Sequence, residues 1–177
     1  MANIHDLISN LEQCIPGLDA APLYANIPES TGVQSIIDWL YTHLSSQGLM
    51  VYEEWTEYSG YIPELKTLDE FPLSVAPADY IFSIIQGVDW ASVSIDPLEL
   101  PYCIPWLEHI NNYLKPYHLR LVDILPFENA YMVCLHDDEA LIQKLDMCLE
   151  LFGMNINKRA PLDQQQVSTA INSIISG

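Results

Sequence analysis

The stretch HLRLVDILPFENAYMVCLH, residues 118–136, decides the fold that this sequence predicts. Residues 118–125 and 130–136 are apolar runs rich in side chains that favour strands, and the residues between them have the length of a tight hairpin connection. The stretch therefore predicts two adjacent antiparallel strands.

The sequence on either side of this hairpin predicts further elements of the same core. Before it, residues 90–95 alternate between apolar and polar side chains like a strand, and residues 104–114 have helical apolar spacing. After it, a helical pattern ends at Phe152, and residues 154–158 indicate a short strand. The order over residues 88–159 is β-α-β-β-α-β, which predicts a ferredoxin-like sandwich with two helices covering one face of the sheet.

The rest of the chain predicts helices packed around that core. Three amphipathic helices and one strand-like run are expected in the mainly helical part, residues 1–87: helices over 3–14, 33–44 and 78–86, and the run over 49–55. The irregular residues 56–76 predict a long acidic surface loop, a length that is uncommon in compact domains unless the loop is functional or disordered. Residues 160–177 predict a last helix. We therefore expect a single α+β domain over residues 1–177.

Composition favours a soluble globular protein that stays in the cytosol. Half of the 177 residues are hydrophobic and 17% are charged, a balance that suits a packed core and argues against disorder. No apolar run reaches the roughly 20 residues that a membrane span needs, and the N-terminus has no signal-peptide pattern. The four cysteines form no CxxC pair, so we expect reduced thiols and folding without a disulfide or a metal.

Charge is the unusual feature of the sequence. There are 24 acidic and 6 basic residues, a formal net charge of -18, and the first 114 residues hold 16 of the acids and one base, Lys66. With so few bases the chain cannot neutralise phosphates, which excludes direct nucleic-acid binding. A field of this sign attracts a basic protein, a polyamine or a metal cation, and a plain solubility surface is the alternative explanation.

The sequence contains no common pattern for catalysis or cofactor binding. It has no GxSxG, Walker, GxGxxG, SxxK or HExxH motif, so we predict no enzyme activity and no cofactor. The HDDE cluster at residues 136–139 is the densest set of possible cation ligands, but acids at this place also suit the cap and first turn of a helix. We predict that structural role and no metal site. Glu108 and His109 are neighbours on a predicted helix and point about 100° apart, which disfavours an acid–base pair.

The stretch VYEEWTEYSGYIPE, residues 51–64, interleaves aromatic and acidic side chains without a neutralising base. The predicted partner-binding residues are Tyr52, Glu53, Glu54, Trp55, Glu57, Tyr58, Tyr61 and Glu64. Tyrosine and tryptophan supply large contact areas at interface centres, while neighbouring glutamates pair with Lys or Arg on a partner. We predict that at least one of Trp55, Tyr58 and Tyr61 anchors an interface. The alternative is that the aromatic side chains turn into the core and the acids outward.

The segment from Tyr52 to Glu64, on an acidic chain without a catalytic motif, resembles the binding surfaces of bacterial immunity proteins that neutralise basic toxin domains. The resemblance implies a tight one-to-one inhibitor that masks the active site of a toxin. Two alternatives stay open. One is an adaptor that engages another basic surface, and the other is a metal-dependent enzyme centred on Asp137, Asp138 or Glu139. No nucleic-acid partner and no membrane partner are expected.

Overall fold

The fold is built on an antiparallel sheet. The computed structural model describes residues 3–69 and 77–177. Within these residues, four strands form the sheet: β1 (Met50–Glu53), β2 (Leu119–Leu125), β3 (Ala130–His136) and β4 (Asn155–Asn157). Their order across the sheet is β1-β3-β2-β4, and Val122 lies opposite Val133 in the central pair. The predicted hairpin is therefore confirmed and forms the centre of the sheet.

Helices surround the sheet and connect its strands. In chain order they are α1 (Ile4–Cys14), α2 (Ala21–Ala25), α3 (Val33–Ser45), α4 (Pro77–Ile85), α5 (Leu100–Cys103), α6 (Trp106–Leu114), α7 (Glu139–Glu150) and α8 (Gln164–Ser176). Every helix predicted from the sequence is present, with ends shifted by a few residues, and the α+β class is confirmed. The short helices α2 and α5 are additional. None of the helices in the described ranges combines the length and the apolar character that a membrane span requires.

The first strand of the predicted β-α-β-β-α-β order is wrong. Residues 90–95 hold a 3₁₀ turn at Trp90–Ser92 and no strand. The Asp89 side chain accepts a hydrogen bond from the backbone N–H of Ala91, and the hydroxyl of Ser92 donates to the backbone oxygen of Asp89. Such local side-chain bonds offer the backbone an alternative to the ladder of a strand.

The ferredoxin-like topology is not confirmed. The strand β1 takes an edge position beside β3, and β4 takes the other edge beside β2. All three pairings are antiparallel, whereas a split βαβ arrangement contains parallel strands joined by a helical crossover. The arrangement is instead a central hairpin with one antiparallel strand on each side.

Both faces of the sheet are covered, whereas the sequence pattern predicted helices on only one face. Side chains alternate along a strand, so Val122 and Ile124 point to one face and Leu119 and Leu121 to the other. The first face packs against α1, α2, α3 and α7, and the second face packs against α4, α6, α8 and the segment 54–69. Cover on both faces explains the continuous burial along β2.

Residues 56–69 are irregular, as predicted, but they do not form a surface loop. Leu65 and Leu68 are buried in the second-face core, where Leu65 precedes a short 3₁₀ turn at Lys66–Leu68 and Leu68 ends it. These apolar side chains hold the segment against the sheet at a spacing that matches no regular period. Residues 70–76 of the predicted loop lie outside the described residues.

The four cysteines are free thiols in different environments. Cys14 and Cys134 are buried, Cys148 is half-buried and Cys103 is exposed. Burial raises the pKa of Cys14 to about 11 and that of Cys134 to about 12, so both thiols stay protonated near neutral pH. The buried pair therefore acts as small apolar side chains of the core.

Candidate protein-binding site

The structure divides the predicted partner-binding residues between the core and the surface. Trp55 and Tyr58 are each 4% exposed and belong to the second-face core, whereas Tyr52 and Tyr61 are 39% and 45% exposed. Two of the three predicted anchors are therefore not available to a partner in this fold. Tyr61 is the predicted anchor whose ring stays exposed.

Trp55 and Tyr58 are buried because they pack with rings and charges of the second face. The guanidinium of Arg159 lies 4.9 Å from the ring centroid of Trp55, and the Tyr58 ring meets the rings of Trp55 and Trp106 edge-on. The hydroxyl of Tyr58 donates to the backbone oxygen of Tyr61 at 2.8 Å, and burial raises the pKa of Tyr58. For these two rings the core alternative, which the sequence left open, is correct.

A groove of about 610 Å³ along β1 brings together four members of the predicted set. This β1 groove is lined by the predicted residues Tyr52, Glu53, Tyr61 and Glu64, and also by Tyr41, Met50, Val51 and Ile62. The sequence does not predict a binding role for Tyr41, because it is distant in sequence and belongs to the apolar stripe of α3. That stripe indicated a core position.

One wall of the β1 groove is aromatic. Tyr52 and Tyr131 lie directly opposite each other in the β1 and β3 pair, and their ring centroids are 5.2 Å apart. Tyr41 packs edge-on against Tyr131 at 5.7 Å, and Asn129 Nδ2 donates to the hydroxyl of Tyr52 at 2.6 Å. These contacts hold the Tyr52 ring in place, so a partner meets an ordered aromatic surface.

The other wall of the groove is acidic. Glu53 points to the face of β1 opposite the aromatic wall, and its Oε2 accepts a hydrogen bond from the hydroxyl of Tyr61. Partial burial and this hydrogen bond raise the pKa of Tyr61 to about 12, so the phenol keeps its proton at neutral pH. Glu64 lines the same groove. Glu54 and Glu57 are exposed but do not line it, although the charge of Glu57 contributes to the raised pKa of Tyr61.

The carboxylates of the β1 groove have no cationic partner among the described residues. Every ion pair among the described residues uses Arg120 or Arg159, and neither arginine lines the groove. Lys66, the one base in the first 114 residues, lines a different pocket. Glu53 and Glu64 are therefore left to attract a positive charge from outside the molecule.

The acidic cluster at residues 136–139 starts a helix. Asp138 is the N-cap of α7, and its Oδ1 accepts hydrogen bonds from two backbone N–H groups of the first turn. The predicted cap is confirmed. Arg120 pairs with Asp137 and, at 2.7 Å, with Glu139, a contact that the sequence does not reveal. In the described part of the chain, no three His, Cys, Asp or Glu side chains are grouped to hold a metal ion.

Glu108 and His109 have separate environments on α6. Glu108 pairs with Arg159 at 3.2 Å, and the same guanidinium is bound at 2.7 Å to the buried carboxylate of Asp123. His109 is fully buried between two tyrosine rings, one from α4 and one from α6, and burial lowers its pKa. Spacing in the sequence does not predict the Asp123 and Arg159 pair, because the two residues are 36 positions apart.

Comparisons with protein-family models, with curated proteins and with solved structures found no match for this chain.

Proposed function

We propose that this chain is a cytoplasmic, acidic protein-binding module that binds a basic partner protein through the β1 groove. The observation that carries the proposal is a groove along an edge strand that combines ordered, exposed tyrosines with carboxylates that have no cationic partner among the described residues. Tyr52 and Tyr61 each offer a large apolar ring with a polar tip, which suits the centre of an interface. Glu53 and Glu64 offer the complement to Lys or Arg.

The charge distribution supports the same proposal through association kinetics. Both arginines are held in internal ion pairs, so the remaining bases are lysines, and the first 114 residues contribute most of the net charge of -18. This part of the chain includes β1. An excess of one charge sign raises the encounter rate with a partner of the opposite sign.

An immunity-type inhibitor is the most specific form of this function. Such a bacterial protein would mask a basic toxin or effector domain one to one, and the resemblance of the segment from Tyr52 to Glu64 supports it. An adaptor for another basic protein is the alternative. The two differ in gene neighbourhood, because an immunity gene lies beside a gene for a large toxin with a basic C-terminal domain.

Co-purification from the native host tests the proposal. A tagged chain should capture a basic protein, and Tyr61→Ala should weaken binding of that protein by roughly thirtyfold, the usual effect of losing an anchor. Tyr24→Ala is the matched control, because Tyr24 is 41% exposed and does not line the β1 groove. Equal affinities of the two variants for the captured protein would contradict binding through the groove.

Salt dependence tests the electrostatic part of the proposal. The association rate with the captured protein should fall markedly from low to physiological salt, while the dissociation rate changes less, because exposed charges are screened beyond about 8 to 10 Å. Combining Glu53→Gln with Glu64→Gln should weaken that dependence. A control that combines Glu12→Gln with Glu150→Gln, two exposed acids outside the groove, should weaken it less. A salt-independent association rate would remove the steering argument.

A further inference from the structure

The β1 groove follows the open edge of the sheet. All four residues of β1 line it, including Tyr52 and Glu53, which point to opposite faces. A groove lined from both faces of one strand must run along the strand's edge. Among the described residues, β1 pairs with β3 on one side and with no strand on the other. The backbone N–H and C=O groups of an open edge are a template for pairing with another chain.

The residues at this edge indicate what kind of strand can pair with it. Edge strands are commonly blocked by Lys, by Pro or by a bulge, and the sequence MVYE of β1 contains neither residue type and pairs in continuous register with β3. Its charged residue is Glu53, and Glu64 lines the same groove. Two copies would each bring these acids and a net charge of -18 to the shared edge, which makes their association electrostatically unfavourable. A second copy of the chain is therefore disfavoured, whereas a basic strand is attracted.

The two faces of β1 offer different surfaces to an added strand. On one face it would meet the rings of Tyr52 and Tyr41, and on the other face it would meet the Glu53 carboxylate beside Tyr61. Side chains of an extended segment alternate between the same two faces. The complementary segment therefore carries apolar side chains at every second position and basic side chains between them.

Building on the proposed function, we infer that the basic partner contributes an extended segment of alternating basic and apolar residues, which pairs with β1 as a fifth strand of the sheet. Main-chain hydrogen bonds to the open edge provide affinity for the segment, and its alternating side chains provide specificity. β1 has four residues, so a segment of about six residues, roughly 20 Å when extended, covers the edge.

Two synthetic peptides of identical composition separate strand pairing from simple charge attraction. One alternates Lys and Val over six residues, and the other places three Lys before three Val, both with blocked ends. Calorimetry with the full chain at low salt should show at least tenfold tighter binding of the alternating peptide. Equal affinities, or no measurable binding of either peptide, would overturn the inference.

Backbone methylation provides a second and independent test. Alternate N–H groups of a strand point to opposite edges. One alternating peptide therefore carries N-methyl groups on its Lys residues, and the other carries them on its Val residues. The peptide whose methylated N–H groups face β1 should bind at least tenfold more weakly than the unmethylated peptide. The other peptide should keep its affinity, because its methyl groups lie on the edge that faces away from β1. Equal affinities of the two methylated peptides would overturn strand pairing while leaving binding by charge intact.

Variants of the chain locate the peptide on the groove. Combining Glu53→Gln with Glu64→Gln should weaken the alternating peptide at least tenfold, and the combined Glu12→Gln and Glu150→Gln control should stay within about twofold. Amide exchange at Met50 and Tyr52, whose N–H groups point to the open edge because those of Val51 and Glu53 face β3, should slow when the peptide binds. If the captured partner depends on Tyr61 but neither peptide preference nor slowed exchange is seen, strand pairing fails and the proposed function stands. If no basic partner is captured, the proposed function fails whatever the peptides do.

Discussion

The two faces of the central sheet are both packed, but with different side chains. The first face is covered by helices whose buried residues are mostly Leu and Ile at regular helical spacing. The second face contains the rings of Trp55, Tyr58 and Trp106, together with the buried pair of Asp123 and Arg159. Apolar residues at helical spacing therefore build the first face and part of the second, and the second face adds aromatic and ionic contacts between distant residues.

This difference matters for the β1 groove because the groove lies where the two faces meet. Tyr52 stands with Tyr131 on the first-face side, and Glu53 stands with Tyr61 on the second-face side. Tyr61 is itself held by the buried Tyr58, whose hydroxyl donates to its backbone oxygen. The order of the acidic wall therefore depends on the packing of the second face.

The largest expected effect comes from removing the ring that joins the aromatic and ionic parts of the second face. Trp55→Ala should lower the free energy of unfolding by about 5 kcal/mol, because it removes a buried ring and its contact with the Arg159 guanidinium. Tyr58→Ala should cost about 3 to 5 kcal/mol. Thermal and denaturant melts measure both losses.

The exposed Tyr61 is the control for these two buried rings. Tyr61→Ala should cost less than about 1 kcal/mol, because its ring is 45% exposed. A loss with Tyr61→Ala as large as that with Trp55→Ala would mean that the ring belongs to the core. The interface assignment would then fail for all three predicted anchors.

Breaking the buried ion pair tests whether charge, rather than apolar contact, distinguishes the second face. Asp123→Ala should cost about 3 to 5 kcal/mol, because it leaves the Arg159 guanidinium buried without its main partner. Adding Arg159→Met should restore part of that loss, since it removes the unpaired guanidinium while leaving Glu108 without its ion-pair partner. The unfolding free energies of the parent chain, the two single variants and the double variant form a double-mutant cycle that measures this effect.

The neighbouring residue on β2 provides the matched first-face control. Ile124 follows Asp123 and points to the opposite face, so Ile124→Ala should cost about 2 to 5 kcal/mol by leaving a cavity. Arg159→Met should not restore this loss, because Arg159 is on the other side of the sheet. Equal rescue of both substitutions would show that the two faces are not energetically separate.

The same contrast explains what the sequence predicts of the fold. Helices α1, α3 and α7 follow from apolar residues at helical spacing, and the central hairpin follows from two strand-like runs joined by a short connection. Local patterns do not predict which strand pairs beside β3, since that choice depends on contacts between distant residues. The strand expected at 90–95 was replaced by a turn because Asp89 and Ser92 bond to the local backbone.

The candidate site is predictable to a similar extent. The interleaved aromatic and acidic residues indicate the correct stretch of chain, and Tyr52, Glu53, Tyr61 and Glu64 do line one groove. The sequence does not indicate which rings are exposed. Trp55 is covered by Arg159, more than a hundred positions later in the chain, and no spacing within residues 51–64 reveals that contact.

A smaller effect is expected where the irregular segment passes over a second-face ring. Gly60 has φ of +78°, and a Cβ at this position would lie 2.8 Å from Cζ3 of Trp106 and closer still to Cε3. Gly60→Ala should therefore cost about 2 to 4 kcal/mol, from backbone strain together with overpacking.

A substitution at Gly17 separates the effect of backbone strain from that of overpacking. Its φ is +73°, but a Cβ there would meet nothing within 4 Å. Gly17→Ala should cost about 1 kcal/mol, from backbone strain alone. The difference between the two unfolding free energies measures how tightly residues 54–69 are packed on Trp106. Equal losses of stability for Gly60→Ala and Gly17→Ala would indicate that this segment can move to accommodate the added methyl group without a free-energy penalty.

The smallest expected effect is a pH dependence that comes from His109 in the second-face core. Burial between Tyr80 and Tyr113 lowers the pKa of His109 below its ordinary value near 6.5, and Glu108 beside it is paired with Arg159. The unfolded chain therefore binds a proton more readily at this residue than the folded chain does. Stability from the neutral ring is fully present above pH of about 6.5 and is lost as the pH falls below it.

The expected slope is at most about 1.4 kcal/mol of unfolding free energy per pH unit between about pH 6.5 and 5.5. Urea melts of the parent chain and of His109→Phe over this range measure it, and the variant should lose most of the slope whatever its absolute stability. His5→Gln, at an exposed position on α1, should leave the slope unchanged. If His109→Phe keeps the parent slope and His5→Gln does not, the proton taken up on unfolding belongs to the surface. His109 would then contribute nothing to the response in this pH range, and the electrostatic distinction between the two faces would rest on the ion pairs of Arg159 with Asp123 and Glu108.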